Sequence, residues 1–560
     1  MLDLADAKEC ITESESIWDE RHRQQDRYLK SYYGDQWSDK DKAIATELKM
    51  PQLTVNIQQG SVKIVSGVMW QNQLEARAVP IDANDEKKAE IASKVLKYIE
   101  QKNRMPIKDS AVFNTGLICD IGCYSVERDY SYDKIEGKII IKAERPQNLF
   151  PDPNFEEYDL SDCAYFIRRK FLTEDTIKSF FPDADIDFKL MAASHYDNVL
   201  KGDLGDSDKA IRYPVHEVYY REYTSQKFLL DKQTADLHLM IKKDGVDYVK
   251  YRGEEMELDF LVTENPDNYK EIRKRAPRIS LTTVCLDDTL QKPGWGPFDD
   301  SQHTQQTYPF FLYMPNFLYG KSQGIVAPTM DIQREKNVRR SQILHNINQT
   351  SNTGWFYKDG AVDPKLLKQF GSSYNAVIKI GDDSEWKKDV GRIEPGQVSP
   401  YIFQMEKEAE NDLRSITNIN TEFLGQGGKS ESGRAIALKQ QAALTSVQNE
   451  IEAFVETRTN LFNFVFKVAQ TTFKSRKIIR ISGDEDAVIL NDKIVDKESG
   501  EALTINSIAD NEYDIVIEQT PASVTFRQSN FENLKEMFEQ FGPQVIPPSE
   551  IIANSSIPGA

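Results

Sequence analysis

The stretch with the most direct chemical promise is GQGGKS at Gly425–Ser430. A glycine-rich run ending in Lys-Ser is how a phosphate loop offers backbone N–H groups and an ammonium to a nucleotide. The full motif also needs a glycine five residues before Gly428, where this chain has Phe423, and a preceding strand, where the pattern reads as a helix. Gly425, Gly427 and Gly428 instead lower the cost of unusual φ angles in a mobile loop joining two helices. The six histidines (His22, His195, His216, His238, His303, His345) share no ligand spacing, and no Ser/His/Asp or Cys/His signature is legible. Cys119 and Cys123 stand four apart without a second pair to complete a zinc site, so they read as buried small hydrophobes. Asp287–Asp288 and Asp299–Asp300 fall in turns, where aspartate serves the backbone. Glu271–Arg278 (EIRKRAPR) is the most basic short run; such runs are usually solvated, with phosphate contact as the alternative. The expectation is a protein with no catalytic residue, cofactor or metal.

The elements that position these residues center on Gly320–Lys474. A first helix, roughly Gln323 to Gln349, carries one apolar residue, Val338, between Gln333 and Gln342. That is too little to bury a face in its own core, so the helix should bridge solvent or pack on copies of itself. A second helix starts at Ser399 as N-cap and Pro400 in the first turn, with Ile402, Met405, Ala409, Leu413 and Ile416 on one face. A third begins after Ser432 and meets no Pro or Gly until Gly483, with a stripe of Leu444, Val447, Ile451, Phe454, Leu461, Val465 and Val468. About forty residues at ~1.5 Å each predict a rod of ~60 Å. Between the first two helices, Thr350–Val398 reads as a small α/β insert. Its strands are Trp355–Tyr357 and Ala376–Ile380, around a short helix bracketed by Asp363, Pro364 and Gly371.

The rest alternates helices and strands, so the chain is read as α+β with several subdomains. Helices are expected at Glu13–Tyr33, Ile57–Asn72, Asn84–Asn103, Asp109–Cys119 and after Thr173. Strands are expected at Leu74–Val79, Cys123–Tyr130, Lys138–Glu144, Cys163–Phe171, Tyr213–Tyr223, Lys227–Leu230, Leu237–Lys243, Ile279–Leu286 and Pro309–Tyr313. Lys477–Ser482, Ala487–Leu490 and Tyr513–Glu518 complete the set. Asp183–Gly205 is polar and loop-like.

At 560 residues the chain exceeds a single core, and 39% hydrophobic residues suffice for globular ones. Five scattered cysteines suit a reducing cytoplasm, no apolar run is long enough to span a membrane, and the acidic start lacks a signal-peptide pattern. A net charge of −19 argues against a free-standing, tight nucleic-acid binder. It is compatible with a protein that surrounds DNA without gripping it.

Several stretches together resemble portal proteins of short-tailed, double-stranded-DNA bacteriophages. They are GDQW at Gly34–Trp37, PQLTVNIQQGSVKIVSGVMWQNQLEARAVP at Pro51–Pro80, PDP at Pro151–Pro153 and DLSDCAYF at Asp159–Phe166. YPFFLYMPNFLYGKSQGIVAPTMDIQREKN also fits, with Gly324, Asp331, Gln333 and Asn337 matching the family's G…D.Q…N pattern, as does SGRAIALKQQ at Ser432–Gln441.

The resemblance implies a portal fold of wing, helical stem, α/β clip and long kinked helix under a crown region. Residues 1–317 would be wing, 318–349 the first stem helix, 350–398 the clip and 399–417 the second stem helix. Residues 418–431 would be a tunnel loop, 432–476 the long helix, 477–530 a return to the wing, and 531–560 the start of a crown that is absent, truncated or short. The implied function is a homo-dodecameric ring at one capsid vertex, assembled in the host cytoplasm and carried in the virion, through which double-stranded DNA is packaged and ejected. Implied partners are the terminase large subunit, the major capsid protein, tail adaptor or head–tail connector proteins and scaffolding protein, with no membrane. Rival readings are another ring-forming connector, or a nucleotide-binding enzyme using GQGGKS.

The resemblance also assigns sites. Phe423, Leu424, Gly425, Gly427, Gly428 and Lys429 would form the tunnel loop against DNA. Asp331, Gln333, Arg334, Lys336, Asn337, Arg339 and Arg340 would lie at intersubunit or channel positions of the stem, with Glu406, Glu408, Glu410 and Asp412 as partners on neighboring copies. Trp355, Phe356, Tyr357, Lys387 and Lys388 would be the docking residues of the clip.

Overall fold

The computed structural model describes residues 4–80, 86–131, 136–182, 212–232, 237–243, 246–251, 254–257, 268–285, 288–299, 305–351, 354–371, 377–382, 384–394, 400–417, 445–480, 488–495, 502–508, 513–521, 535 and 538. Two compact units divide the chain. Met1–Asp26, Val65–Gly324 and Val447–Ala560 form the first, and Arg27–Ile64 with Ile325–Ser446 form the second. The fold is mixed helix and antiparallel sheet, as an α+β reading requires.

The first unit begins with helix α1 (Leu4–Tyr32). Ala7, Ile11, Ser14 and Trp18 recur at three- and four-residue steps and are buried. The Trp18 indole donates to the Pro151 carbonyl at 2.9 Å. The largest sheet runs in the order β11 (Asp288–Trp295), β10 (Tyr269–Cys285), β6 (Arg212–Asp231), β7 (Leu237–Lys243), β8 (Val246–Tyr251), β9 (Glu254–Glu257). β5 (Tyr165–Thr173) pairs with β6 and with β4 (Leu149–Pro151). A smaller sheet orders β12 (Phe310–Tyr313), β2 (Gly122–Asp129) and β3 (Lys138–Glu144). β1 (Asn72–Pro80) pairs with β19 (Tyr513–Pro521). Two short hairpins join β15 (Lys477–Ile479) to β16 (Val488–Leu490) and β17 (Asp492–Val495) to β18 (Ala502–Ile505).

Phe166 of β5 stacks on Phe310 of β12 at 4.3 Å, in a core shared with Trp18, Phe150, Tyr219 and Leu312. Each such ring stabilizes the fold by about 1.5–3 kcal/mol through burial. Helices α4 (Glu86–Asn103), α5 (Met105–Cys119), α6 (Glu174–Phe180) and α10 (Gln448–Thr472) belong to this unit. Phe454 of α10 meets Phe113 of α5 and Tyr313 edge-on at 5.1 and 5.2 Å. Gly116 of α5 admits the Tyr313 ring, because a Cβ there would stand 2.3 Å from it. Cys119 and Cys123 are fully buried, and burial pushes both thiols up.

The second unit holds α2 (Asp39–Glu47), the first turns of α3 (Ile57–Gln71), α7 (Met330–Ser351), α8 (Pro364–Phe370) and α9 (Pro400–Ile416). Ser38 caps α2 by accepting the Asp41 amide. The segment between α7 and α9 pairs β13 (Trp355–Tyr357) with β14 (Val390–Arg392) beside α8, around Ala361, Val362, Leu367 and Val390. Asp363 caps α8 through the Lys365 amide, as its position before Pro364 predicts.

Four expectations are corrected. α7 starts at Met330 after a 3₁₀ turn at Ala327–Thr329, not at Gln323. Gly324 occupies a cramped site where a Cβ would meet the Leu117 carbonyl at 2.3 Å, and its amide donates to Asp120 at 2.6 Å. The third helix is no uninterrupted rod. Ser446 and Val447 form a turn before α10, and α10 stops at Thr472, where the Asn491 amide satisfies the Phe473 and Ser475 carbonyls. Its twenty-five residues span about 37 Å. In the insert, 377–380 is not strand, and the second strand is β14 (Val390–Arg392), which pairs with β13. Ile378 and Ile380 pack into the small core while Val377 is 98% exposed. Lastly, the strand expected from Ile279 starts at Tyr269, so that Glu271–Arg278 lies within β10, which continues without a break through Pro277, with Arg273, Lys274 and Arg275 solvated as a basic run should be. Asp183–Gly205, Asn418–Glu431 and the start of the third helix lie outside the described residues, as does 531–560 apart from 535 and 538.

Candidate functional site

Gln333, Asn337 and Ser341 stand one turn apart on α7 and are 0–1% exposed. They read the backbone of the extended segment before α3. Asn337 Oδ1 accepts the Val55 amide at 2.9 Å, and Ser341 Oγ accepts the Leu53 amide at 3.0 Å. Gln333 Oε1 accepts the Ile57 amide at 3.0 Å while its Nε2 donates to the Val55 carbonyl at 2.8 Å. Behind them, Asn337 Nδ2 donates to Gln36 at 2.6 Å and Gln36 donates to Asn56 at 3.0 Å. Gln58 donates to Thr329 at 3.0 Å and accepts from Ser31 at 2.7 Å. The polarity of α7 therefore has a cause within one chain. This face is neither solvated nor left for a second copy, because its side chains replace the ladder that an isolated extended segment lacks.

The next face of α7 meets α9. Lys336, 2% exposed, places its ammonium 2.9 Å from Glu406 and 2.8 Å from Glu410. Glu410 also accepts Arg414 at 2.9 Å, and hydrogen bonds from Lys336 and Arg414 hold its carboxyl below the usual range. Arg340 lies 3.8 Å from Glu406. Arg339 pairs with Glu335 of its own helix and contacts Met405. Arg334 forks onto Asp41, whose carboxyl the Arg334 hydrogen bond holds at about 2. The basic residues expected to seek partners on other copies thus have partners here. Glu408 and Asp412, on the opposite side of α9, are exposed, as is Asp331.

In the insert, Trp355 is half-buried, its indole donating to Gly371 at 3.2 Å and its ring 5.8 Å from that of Trp386. Phe356, Tyr357, Phe370, Trp386 and Ile393 are exposed, beside exposed Lys387 and Lys388. Among the described residues of the second unit this is a dense set of exposed aromatics. Trp386 is an addition to the residues singled out from the sequence. Phe423, Leu424, Gly425, Gly427, Gly428 and Lys429 lie outside the described residues.

The first unit carries two charge clusters. Arg458 of α10, 2% exposed, forks onto Asp109 of α5 at 2.6 Å and onto Glu100 of α4. Tyr124 donates to the same Asp109 at 2.6 Å. Burial pushes the Glu100 carboxyl up to about 7, against the pull of Arg458 and with the push of Asp109. The sequence held a signal for this cluster, since Arg458 interrupts the apolar stripe between Phe454 and Leu461. In the second cluster Arg168 of β5 meets Glu127 at 2.7 Å, Glu144 at 3.0 Å and Glu217 at 2.5 Å, with Lys170 bridging Glu127 and Glu217. Burial raises the Glu127 and Glu217 carboxyls, but Arg168 and Lys170 overcome it and hold both low. Among the described residues no cluster of His, Cys, Asp and Glu could hold a metal. No described helix is long and apolar enough to cross a membrane.

The site is thus a helical pair with an aromatic-bearing insert, braced by buried hydrogen bonds and ion pairs. The model of a family described as "Phage P22-like portal protein" matches residues 8–560. No curated protein matches the chain.

Proposed function

From the premise that this chain belongs to the family of phage P22-like portal proteins, structural proteins of DNA packaging, we propose the division of labor within it. Met1 to about Phe317 is mostly wing. α7 and α9 are the stem, Thr350–Val398 is the clip, and Asn418–Glu431 is a tunnel loop whose Phe423–Leu424 and Lys429 touch DNA. Twelve chains close a ring at one vertex of the virion. The family match over nearly the whole chain carries this reading.

The charge supports it. Twelve chains at −19 each sum to about −230, which keeps a polyanion from adhering to the wall of its passage. The exposed Phe356, Tyr357, Phe370 and Trp386 have the aromatic composition of the core of a protein-docking surface, with Lys387 and Lys388 at its rim. We assign to it the terminase large subunit during packaging and the tail adaptor afterwards. The wing contacts the major capsid protein and, during assembly, scaffolding protein.

The decisive experiment replaces Gly354–Ile393 with a short Gly/Ser linker. The expected product is a folded ring, counted end-on by negative-stain microscopy, that no longer captures terminase or adaptor. Unchanged capture of both would overturn the clip assignment.

A further inference from the structure

The basic run Glu271–Arg278 has no part in the stem, clip or loop. It lies in β10, paired residue for residue with β6. β6 has β5 as its other neighbor only up to Tyr220 and β7 only from Phe228, and β10 has β11 only from Ser280. Glu222–Lys227 and Arg273–Arg278 therefore form a two-stranded ribbon that no further named strand flanks. The ribbon carries Lys227, Arg273, Lys274, Arg275 and Arg278 against one carboxylate, Glu222, on a chain whose net charge is −19.

Alternation distributes the cations over both faces. Arg273 and Arg275 share a face with Lys227, Ser225 and Tyr223, whose ring is 66% exposed. Lys274 lies on the other face opposite Gln226. Some charge is already engaged. Arg278 pairs with Asp299 at 2.6 Å and lies 3.4 Å over the Trp295 ring, and Glu271, just beyond the ribbon, is 3.4 Å from both Lys227 and Arg273. Arg273, Lys274 and Arg275 are exposed side by side.

We propose that this ribbon is a sequence-independent contact for duplex DNA. The chemistry is that of a narrow, cationic, aromatic-bearing ribbon. A two-stranded β-ribbon fits the major groove, and Arg and Lys supply the phosphate contacts that dominate such affinity. Only the presence of duplex DNA beside the protein rests on the portal reading. On an acidic chain, such a local cluster of cations is a patch that attracts rather than repels a polyanion.

The test measures fluorescence anisotropy of a short labeled duplex with the intact assembled protein, at salt between about 50 and 200 mM. Three phosphate contacts predict a loss of affinity of roughly 40-fold across that range. Arg273→Gln/Lys274→Gln/Arg275→Gln should remove most of that salt dependence and weaken binding at least about tenfold at the low-salt end. The double variant Lys274→Gln/Arg275→Gln leaves the Arg273–Glu271 contact intact and should lose a proportionate share, so a folding defect in the triple variant does not decide the matter. Lys40→Gln/Lys49→Gln/Lys87→Gln removes the same charge from exposed positions elsewhere and should bind like the parent. Absence of binding by the parent protein would sink the proposal, as would an equal loss in the control. So would a ribbon variant that changes the assembly's mass while leaving DNA binding intact, since the ribbon's occupant would then be a second copy of this chain.

Discussion

Asn337 holds Val55 by its backbone: the side-chain oxygen accepts the Val55 amide at 2.9 Å, and the same side chain donates to Gln36 at 2.6 Å. Asn337→Ala leaves the Val55 amide and the buried Gln36 side-chain oxygen without their partner at once. The second unit should lose about 2–4 kcal/mol, since each such group costs about 1–3 kcal/mol. Amide hydrogen exchange at Leu53–Gln58 should accelerate in the variant well before global unfolding; unchanged protection there would show that Asn337 is dispensable.

Lys336 should couple to α9 rather than to another copy. Lys336→Met leaves Glu406 and Glu410 facing an apolar group, and a double-mutant cycle with Glu410→Gln should give a coupling of about 1–3 kcal/mol, below a fully buried pair because Glu410 is a third exposed and also holds Arg414. Glu410 has a depressed folded pKa, so its contribution is present above the ordinary carboxylate pKa and is lost as pH falls through the folded value. The parent should therefore lose more stability on acidification than the Lys336→Met variant. Identical acid sensitivity of the two would refute the pairing.

Glu100 runs the other way. Its folded pKa is raised to about 7 from an ordinary 4.5, so the folded state holds the extra proton and stability falls as pH rises between those values. Glu100→Gln, which leaves Arg458 paired with Asp109, should flatten that slope and match or exceed the parent's stability at pH 8. Thermal unfolding across pH 5–8 reads this directly, and a slope equal to the parent's would contradict it.

Arg168 neutralizes three carboxylates in the sheet of the first unit. Arg168→Met should cost about 3–5 kcal/mol, because Glu144 loses its cationic partner, Glu217 keeps only Lys170 and Glu127 keeps only Lys142 and Lys170. Arg168→Lys should recover only part, since an ammonium cannot fork across Glu144 and Glu217 together. A denaturation midpoint near the parent's in Arg168→Met would show that the cluster contributes little.

Periodicity and caps revealed the local elements well. Ile57–Gln71, Glu86–Asn103 and Pro400–Ile416 follow their apolar spacing, while the expected caps Asn84, Asp85 and Ser399 lie outside the described residues. What they could not reveal is where a polar residue finds its partner. Gln333 and Asn337 looked like surface because the residues they bind are some 280 positions away, and backbone groups carry no side-chain signature. The stop of α10 at Thr472 was equally hidden, being set by Asn491 after an intervening hairpin strand rather than by a local glycine or proline. Strand continuity failed for the same reason: the strand expected from Ile279 begins at Tyr269 and runs through Pro277 opposite Tyr223. In the insert between α7 and α9, Trp355–Tyr357 was legible as strand, but its partner could be chosen only by packing around Val390.

The face that α7 turns toward Leu53–Ile57 recognizes amides and carbonyls, which every residue type except proline supplies alike. Sequence divergence should therefore be lopsided. Leu53 and Val55 can drift among many non-proline side chains without disturbing their docking, whereas Gln333, Asn337 and Ser341 tolerate almost no exchange. Proline at position 55 is the instructive exception, because it deletes the one amide that Asn337 accepts.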